Sequence, residues 1–213
     1  MQSEVHSTPT VAMLLLFGAG GHGCVVADAA LLQGRWGQIC AADRDASRCD
    51  GQLLGRVKLI ELASANALDA ELHISIGNNA AREREALLWG FARLVSVQHP
   101  DATVSCYARL DAGCFVAARA VVAPRAQIGT GTIINHAAVL DHDAQVGAFS
   151  HVAPGALMGG GARIGARVLL GAGAVVLPGV SVADDVIVGA GCVVTHSLTQ
   201  AGTYVGVPAV RVK

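Results

Sequence analysis

Two hydrophobic patterns divide this chain. From Val104 onward every sixth residue is aliphatic: Val104, Leu110, Val116, Val122, Ile128, Ile134, Leu140, Val146, Val152, Met158, Ile164, Leu170, Val176, Val182, Val188 and Val194, sixteen positions without an insertion. Four residues after most of them stands something small or β-branched, as at Ala108, Ala120, Ala126, Thr132, Ala138 and Ala144. The residue directly after is often Gly, Asn or Asp, as at Gly129, Asn135, Asp141, Gly147 and Gly165. A helix repeats every 3.6 residues or so and a half-buried strand about every 2, and neither gives strict sixes. A short flat strand followed by a tight turn does. The aliphatic residue then points to an axis, the small residue packs beside it, and Gly, Asn or Asp supplies the left-handed backbone of the turn. Three hexads close a triangular coil, and coils stacked about 4.8 Å apart build a column on the order of 25 Å tall. The pattern predicts an all-β left-handed parallel β-helix whose open ends need caps.

Before Val104 the pattern alternates strand and helix. Residues 1–12 read as a flexible tail. Met13–Phe17 reads as a buried strand, Cys24–Gln33 as a helix, Gln38–Ala42 as a second strand ending at Asp43, and Leu72–Ile76 as a third. Gly77-Asn78-Asn79 leads into a helix with an expected apolar face at Ala86, Leu87 and Phe91, and a fourth strand is expected at Leu94–Gln98. Such alternation implies a parallel sheet with crossovers. The expected organisation is an α/β Rossmann-like half domain over 13–100, then the β-helix with a C-terminal cap over 101–213.

Composition agrees with a core of many small aliphatic side chains: 53% of the 213 residues are hydrophobic, only 4% are aromatic, and 26 are glycine. Lys+Arg is 15 and Asp+Glu 16, a net charge of −1, so nothing electrostatic favours nucleic acid or an anionic membrane surface as partner. No apolar run approaches the roughly 18 residues of a membrane span. The longest, Val11–Phe17, has a strand's length and lacks the flanks of a signal peptide. The six cysteines form no C-x-x-C pair and no zinc spacing, which reads as reduced, structural thiols and a cytoplasmic location.

Two places carry candidate chemistry. Gly18-x-Gly20-x-x-Gly23 lies between a strand and a helix, and Asp43 follows the last glycine by 20 residues. Glycines admit a phosphate to the backbone, the helix N-terminus offers free N–H groups, and the acid can accept from a ribose hydroxyl. Only one mononucleotide half fits before the repeat, which suits a mononucleotide or the diphosphate of a nucleotide-sugar better than NAD. His22 either reaches the diphosphate or caps the turn. The second place is Asn135-His136 through Asp141-His142-Asp143 to Phe149-Ser150-His151, where polar residues interrupt the bland repeat. His142 falls in a turn with a carboxylate on each side, the setting of a general base. The spacing of His136, His142 and His151 is poor for catalytic zinc, so no metal is expected. No cysteine or serine is flanked by a base in the pattern that a nucleophile requires, which agrees with direct transfer.

Leu16-Phe17-Gly18-Ala19-Gly20-Gly21-His22-Gly23, Ile76-Gly77-Asn78-Asn79 with Arg82, Val139-Leu140-Asp141-His142-Asp143, Phe149-Ser150-His151-Val152-Ala153-Pro154-Gly155 and Val205-Gly206-Val207-Pro208-Ala209 follow one another in that order. Together they resemble the bacterial nucleotide-sugar N-acetyltransferases of the hexapeptide superfamily, of the bacillosamine and perosamine pathways. Sialic acid O-acetyltransferases share the architecture. The resemblance implies acetyl transfer from acetyl-CoA to the 4-amino group of a nucleotide-linked 4-amino-4,6-dideoxy sugar, in a homotrimer with the site between neighbouring columns. It implies His142 as base, Asp143 as its orienting acid with Asp141 as an alternative, and Asn135 as a polar contact. It further implies acetyl-CoA along His151, Gly160, Ala172, Ala190 and Pro208, and the sugar nucleotide at Gly18, Gly20, His22, Gly23, Asp43, Asn78, Asn79 and Arg82. O-acetylation of a sugar such as sialic acid is the alternative activity, and NAD-dependent oxidoreduction a minor one.

Overall fold

The structure, a computed structural model, describes residues 12–212. The expected tail therefore lies, apart from Ala12, outside the described residues. In the N-terminal unit β1 (Met13–Phe17) is an interior strand of a five-stranded sheet, between β2 (Gln38–Ala42) and the edge strand β5 (Glu71–Ile74), both parallel to it. Beyond β2 lie β4 (Val57–Leu59) and the antiparallel edge strand β3 (Gln52–Leu53). Three helices complete the unit: α1 (Gly21–Gln33), α2 (Leu62–Asn66) and α3 (Asn79–Trp89).

The β1 sequence MLLLF is apolar on both faces because both are covered. Leu14 and Leu16 pack with Val26, Ala27 and Ala30 of α1, and the same cluster takes in Phe115, Ala117 and Ile133 of the column. Leu15 and Phe17 pack on the other side with Ala65, Ala86 and Phe149. One apolar cluster, separate from the column's own interior, thus joins the sheet and α1 to the side of the column and fixes the glycine loop at the head of α1 relative to the repeat.

The column has three faces. The first has eight strands, starting at Val97–Gln98 and running through Ile133–Ile134, His151–Val152 and Leu169–Leu170 to a final antiparallel pair, Gly202–Val205 with Val210–Arg211. The second has six, among them Val121–Val122, Val139–Leu140 and Leu157–Met158; the third has five, among them Gln145–Val146. Each strand pairs with its counterpart one coil away, as Ile133 with His151 and Val139 with Leu157. The coil is left-handed. Every sixth-residue aliphatic from Val116 to Val194 is buried, while Val104 and Leu110, in the first coil, are only partly covered.

Four local expectations need correction. Helix α1 begins at Gly21, so His22 and Gly23 lie in its first turn. Leu94 makes only a single bridge to Leu72, and Val97–Gln98 pairs with Phe115–Val116, so the expected fourth sheet strand already belongs to the column. Helix α3 buries Arg82, Glu85 and Ala86, whereas Leu87 is 62% exposed and Phe91 falls beyond the helix. Hydrogen bonds to Arg82 and Glu85 turn that polar side inward. Finally, the left-handed residue of most corners is the third after the aliphatic one, including Arg125, Ala137, Asp143 and Phe149. The glycine directly after the aliphatic serves stacking instead: a Cβ on Gly147 would stand 2.3 Å from the carbonyl carbon of Gly165 in the next coil. No helix of the described residues is long and apolar enough to cross a membrane.

Candidate active site

His142 sits on the corner between the second and third faces. Its Nδ1 donates to Oδ2 of Asp143 at 2.8 Å, and its own backbone N–H donates to Oδ1 of Asp141 at 2.7 Å. Asp143, with φ +60°, is folded back far enough for a short side chain to reach the ring. Asp143 rather than Asp141 is therefore the ring's partner, and Nε2 is left free to accept a proton. Arg125, one coil earlier, grips Asp143 through Nε (2.6 Å) and Nη2 (2.7 Å). Those bonds, followed by that of His142, hold the Asp143 carboxyl well below the usual carboxylate range. Gly160 lies against the ring from the next coil.

The glycine loop is built as its spacing demands. Gly18 has φ +118°, and a Cβ on it would stand 2.8 Å from the carbonyl oxygen of Ser75, so only glycine fits. A Cβ on Gly23 would meet the carbonyl oxygen of Gly18 at 2.2 Å. Gly20 caps α1 without a side-chain bond, which leaves the first-turn N–H groups to a ligand. Asp43 accepts the N–H of Ala19 (2.8 Å) and of Asp45 (3.0 Å), so it braces the loop. Arg48, which the sequence pattern did not single out, lies over Gly20, its Nη1 3.0 Å from where a Cβ would be. It is tethered there by Asp45 at 3.3 Å.

Between loop and column lies a seam lined with imidazoles. The His22 ring meets Phe115 edge-on at 5.3 Å and lies 6.3 Å from His151, with its Nε2 buried and unpartnered. Burial first, and then the neighbouring His151, push His22 down to about 3. His151 Nε2 faces the side-chain amide of Asn135 at 3.0 Å, and burial lowers this histidine to about 4. Both rings are neutral at physiological pH. His151 opens onto a groove of about 430 Å³ lined also by Gly77, Asn78, Asn79, Arg167 and Asp185.

Several expected ligand residues hold the seam together instead. Arg82 is 1% exposed, and its donors go to the carbonyls of Gly131, Ile76, Gly77, Phe149 and Ser150 and to Oδ1 of Asn79. No donor is left for a phosphate, a correction to the sequence expectation for Arg82. Asn79 also donates to the carbonyls of Arg167 and Val168, and Asn78 caps α3 through the Ala81 N–H. Ala172 and Ala190 stack in successive coils on the corner between the first and second faces, and Pro208 lies in the turn before the last strand. Within one chain, then, His142 stands on one corner while His22, His151 and Asn135 line the first face.

Column, corner dyad and glycine loop are those of a hexapeptide-repeat acetyltransferase with an α/β N-terminal unit. Residues 13–86 match the PglD N-terminal domain, and residues 161–196 match the bacterial transferase hexapeptide of six repeats. The acetyltransferase domain of PglB from Neisseria gonorrhoeae is 35% identical, with a TM-score of 0.87 over 94% of this chain and 99% of that one. A histidine-to-alanine variant of GDP-perosamine N-acetyltransferase from Caulobacter crescentus, in complex with CoA and GDP-perosamine, is 34% identical, with a TM-score of 0.86 over 95% and 97%. No curated protein sequence matches the chain. The chain belongs to the PglD-type family of hexapeptide-repeat sugar N-acetyltransferases.

Proposed function

We propose that the protein transfers the acetyl group of acetyl-CoA to the 4-amino group of a nucleotide-linked 4-amino-4,6-dideoxy sugar. The observation that carries this reading is the His142–Asp143 pair at 2.8 Å, with Nε2 free on an exposed corner. The relatives support it: one is solved in complex with acetyl coenzyme A, and another with CoA and GDP-perosamine. The amine nitrogen attacks the thioester carbonyl, Nε2 of His142 takes the amine proton, the C–S bond breaks, and the sulfur leaves as thiolate to receive that proton. Asp143 holds the tautomer that keeps Nε2 basic. The diphosphate belongs on the first turn of α1, with Arg48 above Gly20 as a further cation.

The site is shared between copies in this reading. Val121, Val139, Leu157, Val175 and Val193 form an apolar ladder on the outside of the second face, next to the His142 corner. A second copy seated on that ladder brings its own groove of Asn78 and His151 towards His142. The ladder supports the threefold assembly that the resemblance implies, with the acetyl donor running past Gly160 of one copy and Ala172 and Ala190 of another.

Acetyl-CoA consumption against UDP-, GDP- and dTDP-linked 4-amino sugars tests the proposal, with the free sugars as controls. Turnover with one nucleotide-linked amine and none with its free sugar is expected. Turnover of hydroxyl acceptors only would overturn it in favour of O-acetylation.

A further inference from the structure

We propose that Arg125 is a positioning residue for the acetyl transfer, acting on His142 through Asp143. The inference rests on His142 being the base. Arg125 and Asp143 occupy equivalent corner places 18 residues apart, both left-handed, with φ +63° and +60°. That backbone points the two side chains along the same edge of the column, where the guanidinium fork meets both carboxylate oxygens at 2.6 and 2.7 Å. Oδ2 carries the Arg125 Nη2 bond on one side and the His142 Nδ1 bond on the other.

Two consequences follow for the ring. Asp143 is 42% exposed, and a carboxylate so exposed would otherwise rotate among several orientations. A two-pronged arginine fixes its plane and so fixes the plane of the imidazole. The arginine also neutralises part of the carboxylate's charge, so the imidazolium formed during transfer is stabilised without holding its proton too tightly to pass it on. The other groups facing His142 are few. Asp141 takes the His142 backbone N–H, and Gly160 from the next coil presents no charge. Arg125 is thus the cation joined to the dyad.

A competing role is mechanical. The same fork joins Arg167 to Asp185, one coil apart at 2.7 and 2.8 Å, with no imidazole bonded to that carboxylate. An Arg–Asp rung that only pins two coils together would change thermal stability and leave the pH dependence of catalysis alone.

The test measures kcat and KM against pH for the full-length wild type, Arg125→Gln, Arg125→Lys and His142→Ala, with Tm for each. Arg125→Gln is expected to lower kcat at neutral pH about tenfold and to move the acidic limb of the profile to higher pH, with KM for both substrates within about twofold. Arg125→Lys restores the limb and only part of kcat, because it returns the charge without the fork. In an Asp143→Asn background, Arg125→Gln lowers kcat no further. An unmoved limb in Arg125→Gln, or a loss that adds fully to that of Asp143→Asn, overturns the proposal even if Tm falls. Wild-type turnover by His142→Ala is a different result, since it removes the base itself.

Discussion

Gly160 lies against the His142 ring from the next coil: a Cβ added to it would stand 2.7 Å from both Cε1 and Nε2. The ring is at the exposed end of a rotatable side chain, so it would swing away rather than strain the column. Gly160→Ala is therefore expected to leave Tm within about 2 °C of wild type while kcat falls about 10- to 100-fold through misplacement of Nε2. A variant with both values unchanged would show that the close approach does not matter to catalysis.

Removing the imidazole isolates its chemistry. His142 is an exposed corner residue whose bonds go to Asp143 and Asp141, so His142→Ala takes nothing from the core. Its kcat should drop about 100- to 10,000-fold, with thermal stability preserved. Steady-state kinetics beside a melting curve make the check.

Arg82 makes the opposite prediction. Arg82→Ala strands the carbonyls of Gly131 and Phe149 inside the seam and should cost on the order of 3 kcal/mol of stability. A denaturant titration reads this directly. Weakened substrate binding with full stability would instead restore Arg82 to the ligand pocket.

Acid should loosen the same seam. His73 is buried beneath it, with Nδ1 2.9 Å from the carbonyl oxygen of Val95, and burial lowers it from 6.5 to about 4. The unfolded chain binds this proton at higher pH than the folded one does. Its contribution is thus complete above about pH 6.5 and lost progressively as pH falls towards 4. His22 and His151, lowered by burial to about 3 and about 4, act in the same sense. Substituting His73 by Gln should flatten the fall in Tm between pH 7 and pH 4 relative to wild type, a comparison that cancels the carboxylates common to both.

The repeat was legible in the sequence because its period belongs to the fold itself. Sixteen aliphatic positions in phase give the register of every strand, and the structure buries all but those of the first coil. His142 and Asp143 stood out for a related reason: a polar triplet in a bland repeat occupies a corner. Arg125 was overlooked because its relationship to Asp143 appears only when positions are compared 18 apart, one full turn of the column. Arg82 was misread as a ligand because its partners are mostly backbone carbonyls, which leave no trace in a sequence. Leu87 misled for a local reason, since hydrogen bonds to Glu85 and Arg82 outweigh an apolar side chain in choosing which side of α3 turns inward.

Strands only two residues long leave the coil no slack. One residue inserted between the seam and His142 would exchange inner and outer positions in every later hexad. A change of length within the strands that keeps every face in place is a whole turn of 18 residues, and a turn added ahead of His142 would carry the imidazole about 4.8 Å along the column. His142 falls between Asn135 and His151, in the turn that lines the seam, so the base keeps level with the seam only while no turn is added between them.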